Sequence, residues 1–140
     1  MFQKLRQFQS WRDVGLFLHI LLLWICLPVL LWLPLHRVLR LLTPRRQLTP
    51  RNSAASDSQR QKVIRFANYW FSRKSIAARN TCLKRSLILY YFLNRGGAAV
   101  KICLGVKKEN GRLTGHSWLE GAGWTADRLP EFVVIYRYPE

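Results

Sequence analysis

The hydrophobic pattern changes period several times along the chain, and each change marks an element. Residues 14–35 read VGLFLHILLLWICLPVLLWLPL, apolar on every side rather than along one stripe. A helix of about 20 such residues can cross a bilayer. Pro28 and Pro34 interrupt the run, and a leucine-rich stretch continues it over residues 35–42 until Pro44. Proline kinks or ends a helix, so the same residues also read as a helix pair buried against protein. Sequence leaves membrane contact and protein burial equally open. The run is too long for a signal peptide, and no small-residue cleavage site follows it.

Residues 43–58, TPRRQLTPRNSAASDS, lack an apolar period and are rich in Pro, Ser, Thr and Arg, the composition of a linker. Asp57 or Ser58 then caps a predicted helix running to about Ser72. Val63, Phe66, Ala67 and Trp70 fall on one face of it, with Arg60, Lys62, Arg65 and Arg73 in solvent. Asn80 and Thr81 are the N-cap candidates of a further helix, CLKRSLILYYFLNR, which Gly96 and Gly97 close. Its apolar face is predicted as Leu83, Leu87, Tyr90 and Tyr91, leaving Lys84, Arg85 and Arg95 outside.

Beyond Gly97 the period drops to two. Val100, Ile102, Leu104 and Val106 alternate with Lys101, Cys103 and Gly105, the sign of a half-buried strand. Asn110-Gly111 predicts a hairpin into a strand over residues 113–120, where Thr114, His116, Trp118 and Glu120 share one face. A third strand is expected to begin over residues 124–127 and a fourth over residues 132–138. Helices followed by a small antiparallel sheet make the fold class α+β. The expected organisation is a hydrophobic, basic-flanked helical segment over 1–45, a linker over 46–58 and a catalytic domain over 59–140. A core of that size is thin, so burial is expected from the hydrophobic segment, a partner or a membrane.

Charge narrows the partners. Lys and Arg number 23 against 7 acidic residues, a formal net charge of +16, which favours anionic lipid headgroups, nucleic acid or acidic peptide. The basic residues are spread over every segment, with no zinc-ligand spacing and no separate arginine-rich tract, so specific nucleic-acid binding, a metal and a cofactor are not expected. Lys4, Arg6 and Arg12 precede the apolar run, and Arg37, Arg40, Arg45, Arg46 and Arg51 follow it. That bias points to the cytoplasm, with attachment to the cytoplasmic face of the inner membrane if the run meets lipid. The three cysteines, Cys26, Cys82 and Cys103, form no CxxC pair and no even framework, in keeping with a reducing compartment.

Cys82, His116 and Asp127 carry the candidate chemistry. A thiol near pKa ~8.5 is mostly protonated at neutral pH, and a helix N-terminus with an adjacent imidazolium stabilises the thiolate that attacks. Cys82 falls in a first helical turn, His116 on a strand that follows, and Asp127 where a neighbouring strand is expected. In that order they supply a nucleophile, a general base and a residue to orient the base. Glu120 is the competing orienter, ranked second because its strand is that of His116. Cys26 and Cys103 read as packing residues.

The segments NTCLKRSLILYYFLNRGG, AVKICLGV, GHSWLE and GWTAD, in that order, resemble the transglutaminase-like leader peptidases of lasso-peptide biosynthesis, the B protein or its C-terminal protease half. The likeness covers about residues 60–127, and Ser117 stands where that family usually has alanine. It implies a papain-like or transglutaminase-like fold and a cysteine peptidase with Cys82 as nucleophile, His116 as base and Asp127 as acid. The substrate implied is the leader of a ribosomally made precursor, removed before a separate lasso cyclase closes the ring. About 60 residues before the thiol domain leave no room for a winged-helix recognition module, so the split form, served by a separate leader-recognition protein, is expected. The same triad also suits a membrane-associated acyltransferase or deamidase, and the non-enzyme alternative is a peptide-binding module without turnover.

Overall fold

The computed structural model describes residues 11–45, 54–72, 81–121 and 130–139. Within them, helices α1 (Trp11–Leu30), α2 (Leu35–Leu42), α3 (Ala54–Ser72) and α4 (Thr81–Arg95) precede strands β1 (Lys101–Glu109), β2 (Arg112–Glu120) and β3 (Val133–Tyr138). The strands form one antiparallel sheet in the order β2-β1-β3, giving the α+β architecture that the change of period predicts.

The helix carrying the candidate thiol lies at the centre. Leu87, Ile88, Leu89 and Tyr90 are consecutive and all at most 2% exposed, so α4 is buried around its whole circumference. Helices α1, α2 and α3 and strands β1 and β2 all contact it. A helix so enclosed has no broad solvent face. This corrects the expectation for Lys84, which is buried rather than outside, while Arg95 is exposed as expected. Arg85 is half-buried and donates from Nε to Asn68 Oδ1 at 3.0 Å. The helix ends as its glycines predict: Gly97 has φ 84°, Ala98 N-H donates to Leu93 O at 2.9 Å and Gly97 N-H to Asn94 O at 3.0 Å. This double closure satisfies carbonyls that a helix end otherwise strands.

The apolar N-terminal run divides into two helices at its prolines. α1 stops two residues past Pro28, and Pro34 precedes α2. Thr43 closes α2, donating from Oγ1 to Leu39 O at 2.6 Å and sharing a 2.9 Å hydrogen bond with Tyr90 Oη. Ile20, Leu27, Val38, Leu39 and Leu42 join Val63, Phe66, Ala67 and the α4 residues in one core. The burial that a thin domain lacks is thus partly supplied from α1 and α2.

α3 begins at Ala54, one turn before the expected cap and inside the expected linker. Asp57 therefore lies in its first turn and pairs with Arg60 at 3.2 Å instead of capping. Val63, Phe66 and Ala67 face the core as predicted. Lys62 is not a free solvated charge: its Nζ stands 3.0 Å from Oδ1 of Asp13, which is 5% exposed. The Trp70 side chain and Arg73 lie outside the described residues.

Asn110 and Gly111, at φ 50° and 78°, form the two-residue turn between β1 and β2, where positive φ at both positions matches the strand twist. Their register runs from Lys101 opposite Glu120 to Glu109 opposite Arg112. β3 pairs with the other side of β1, with a bulge between Leu104 and Gly105. β1 is therefore the middle strand, and Ile102 and Cys103, on opposite faces, are both fully buried. The strand expected over residues 132–138 is β3, and the one expected over 124–127 lies outside the described residues.

Candidate active site

Cys82 occupies the first turn of α4 and is half-buried. The N-H groups of that turn have no partner within the helix, so their partial positive charge is available to an anion at this end. Ser86 follows one turn later and shares the face of Cys82 by the i, i+4 rule. Its Oγ accepts a buried hydrogen bond from Ser117 Oγ at 3.1 Å, tying α4 to β2. The bridge ties the helix of Cys82 to β2 at the residue after His116, whose own side chain points to the other face of the sheet and is not brought to Cys82 by it.

His116 lies opposite Gly105 of β1. Strand alternation sends its side chain to the face of β2 opposite that of Ser117. The imidazole is half-buried and lies nearly parallel to the Trp118 ring, with centroids 5.9 Å apart and an angle of 20° between the planes. Phe132 is tilted against it at 5.3 Å. Gly105 makes room for this arrangement: a Cβ there would stand 2.7 Å from Trp118 Cη2 and 3.0 Å from Phe132 Cβ. On the α4-facing side, Gly115 is exposed, and no atom of the described residues lies within 4 Å of where its Cβ would be. This open space lies on the face of β2 opposite the His116 ring.

Glu120 shares the His116 face, but four residues along a strand separate them by about 13 Å. Its Oε1 accepts from Trp118 Nε1 at 3.1 Å and its Oε2 pairs with Arg137 at 3.2 Å. Those contacts count against Glu120 as the residue that orients the imidazole. Asp127, the first choice for that role, lies outside the described residues.

The other thiols behave as packing groups. Cys103 is fully buried, and burial pushes its pKa up against the opposing hydrogen bond from Arg137. Desolvation disfavours a thiolate, so this sulfur is a poor nucleophile. Cys26 is half-buried on α1. Among the described residues, no group of three or more His, Cys, Asp and Glu side chains is placed to hold a metal ion.

Sequence reasoning missed Ser86, Gly105 and Phe132 as supports of the site. Two of them left a signal: Ser86 lies four residues after Cys82, and a glycine inside a strand marks a close approach, here by the Trp118 ring.

No curated protein and no solved structure matches the chain. The model of the transglutaminase-like superfamily matches it from residue 23 to residue 137, from the middle of α1 to the end of β3. A span that takes in the cysteine helix, the histidine strand and the helices packed around them decides the family: the chain belongs to the transglutaminase-like superfamily.

Proposed function

We propose that the protein is a cysteine peptidase that removes the leader from a ribosomally made, lasso-type precursor peptide, using Cys82, His116 and Asp127. The observation that carries the reading is the position of Cys82 in the first turn of the central helix, the end at which helix N-H groups favour a thiolate. Superfamily membership supports thiol chemistry in this chain.

In this mechanism His116 takes the thiol proton and the Cys82 sulfur attacks the scissile carbonyl carbon. The N-H groups of the first α4 turn face the developing oxyanion. Collapse of the tetrahedral intermediate breaks the C-N bond, and His116 passes its proton to the leaving amine. Water then attacks the acyl-thioenzyme, gives a proton to His116 and restores the thiol as the carboxylic acid leaves. Asp127 holds the imidazole tautomer throughout.

α1, α2 and α3 share one core with α4, so their described residues serve the peptidase fold itself. In this reading a separate recognition protein captures the leader, and the lasso cyclase acts on the released peptide in the cytoplasm. Incubation of wild type, Cys82→Ala and His116→Ala with precursor and recognition protein, read by mass, tests the reading. Leader release by wild type alone is expected, and equal release by all three overturns the mechanism. A mass equal to an amine adduct would instead assign the acyl-thioenzyme to transfer.

A further inference from the structure

One face of α1 has no protein partner among the described residues. Leu18, Leu22, Ile25 and Val29 follow one another at spacings of four, three and four and are 55% to 71% exposed. Trp11 before them and Trp32 after them are each 91% exposed. The stripe follows the whole helix, about 30 Å at 1.5 Å per residue. Soluble surfaces rarely leave so continuous an apolar strip in water. Leu41 is exposed on α2, and the exposed Arg37 and Arg40 share its face of that helix.

We propose that this stripe docks the protein onto an anionic lipid surface, with α1 lying in the plane of the bilayer rather than crossing it. Length and composition alone would let α1 span a membrane. Its other face rules that out for the folded chain: Ile20 and Leu27 are at most 1% exposed in the core, and the buried Asp13 is held by Lys62 of α3. Crossing the bilayer would surround these residues with lipid and break the core that they share with α4. An in-plane helix keeps both faces satisfied, apolar side chains in the acyl boundary and the opposite face in protein. Tryptophan favours the headgroup level, and here it stands at both ends of the stripe.

Charge selects the occupant. A net charge of +16 opposes docking of a second copy through this face, whereas that charge, with the exposed Arg37 and Arg40 of α2, attracts acidic headgroups. The inference does not depend on Cys82 being a nucleophile.

Flotation of the full chain with vesicles of phosphatidylcholine alone, or with 30% phosphatidylglycerol as a round figure for about a one-third anionic surface, tests it. Strong binding to the anionic vesicles, weakened by high salt and released by alkaline carbonate, is expected. Leu22→Gln combined with Ile25→Gln should lower the partition coefficient about tenfold or more with an unchanged circular dichroism spectrum, because both side chains already face solvent. Trp11→Phe and Trp32→Phe should each reduce quenching by lipids brominated near the headgroup, and the pair should remove most of it. Failure to float, or floating indifferent to the double substitution, overturns the proposal. A carbonate-resistant fraction overturns the in-plane geometry. Concentration-dependent dimers lost in the double variant, without vesicle binding, would assign the stripe to a second copy instead.

Discussion

Ser117 Oγ donates to Ser86 Oγ at 3.1 Å across the interface of α4 and β2, and neither residue is more than 5% exposed. A buried hydroxyl that loses its partner costs about 1–3 kcal/mol, whereas replacing both partners by apolar groups can be nearly neutral. Ser86→Ala alone is therefore expected to destabilise the protein by about that amount, and the Ser86→Ala/Ser117→Ala pair to recover most of it. Urea unfolding of the two single variants and the pair measures the coupling. Strictly additive losses would show that the two hydroxyls do not depend on each other.

His19 gives the packing of α1 on α4 a dependence on pH. Its ring makes edge contacts with Tyr91 at 5.6 Å and Phe92 at 5.2 Å, and burial, aided by the Arg95 charge, holds its pKa below the ordinary value. The unfolded chain, with histidine near pKa ~6.5, then binds the proton more readily than the folded one. Stability is intact above that pH and is lost as pH falls through the lowered folded value. Melting temperature should decline between about pH 7 and 5, and His19→Phe should flatten part of that decline. A variant whose profile overlays wild type would remove His19 as a source of it.

How much of this was legible follows from where the information resides. α4 could be read closely because its apolar run and two terminal glycines act within one element. The β1–β2 hairpin was equally plain, since Asn110-Gly111 fixes the turn and the turn fixes the register. The burial of Lys84 was not, because a helix packed on two sides keeps no solvent face, and that enclosure comes from elements distant in the chain. Nor was the pairing of β3 with β1, which depends on no local signal. For the site, the sequence placed Cys82 on a helix start and His116 on a strand. It could not announce the serine bridge, which joins residues 31 positions apart.

Asp13 and Lys62 join α1 to α3 across 49 positions of sequence, with Nζ at 3.0 Å and 3.3 Å from the two carboxylate oxygens. The carboxylate side chain is only 7% exposed, while the lysine is 38% exposed and partly screened by solvent. Lys62→Met removes the cation and leaves a buried carboxylate without its partner, a loss of about 1–3 kcal/mol after allowing for that screening. Asp13→Asn/Lys62→Met, which retires both charges, should be milder than Lys62→Met alone. Thermal unfolding at neutral pH decides it, and a double variant less stable than the single one would contradict the assignment.

Gly105 and Gly115 lie on neighbouring strands close to His116, and the structure gives them opposite tolerances. A methyl at Gly105 meets Trp118 ring atoms at 2.7 Å and 2.8 Å, so the indole on which the imidazole rests must move. Overpacking of this kind costs about 1–3 kcal/mol, and Gly105→Ala should lower both melting temperature and the proposed leader cleavage. A methyl at Gly115 meets nothing within 4 Å, and alanine is favoured over glycine within a strand by about 0.5–1 kcal/mol. Gly115→Ala should therefore leave stability unchanged or raised. Gly115→Leu, which fills the open space on the α4-facing side of β2, should raise KM for the proposed precursor while the melting temperature holds. If Gly115→Leu cleaves with the wild-type KM, the substrate does not pass along this side of β2, and the approach to Cys82 must be sought elsewhere.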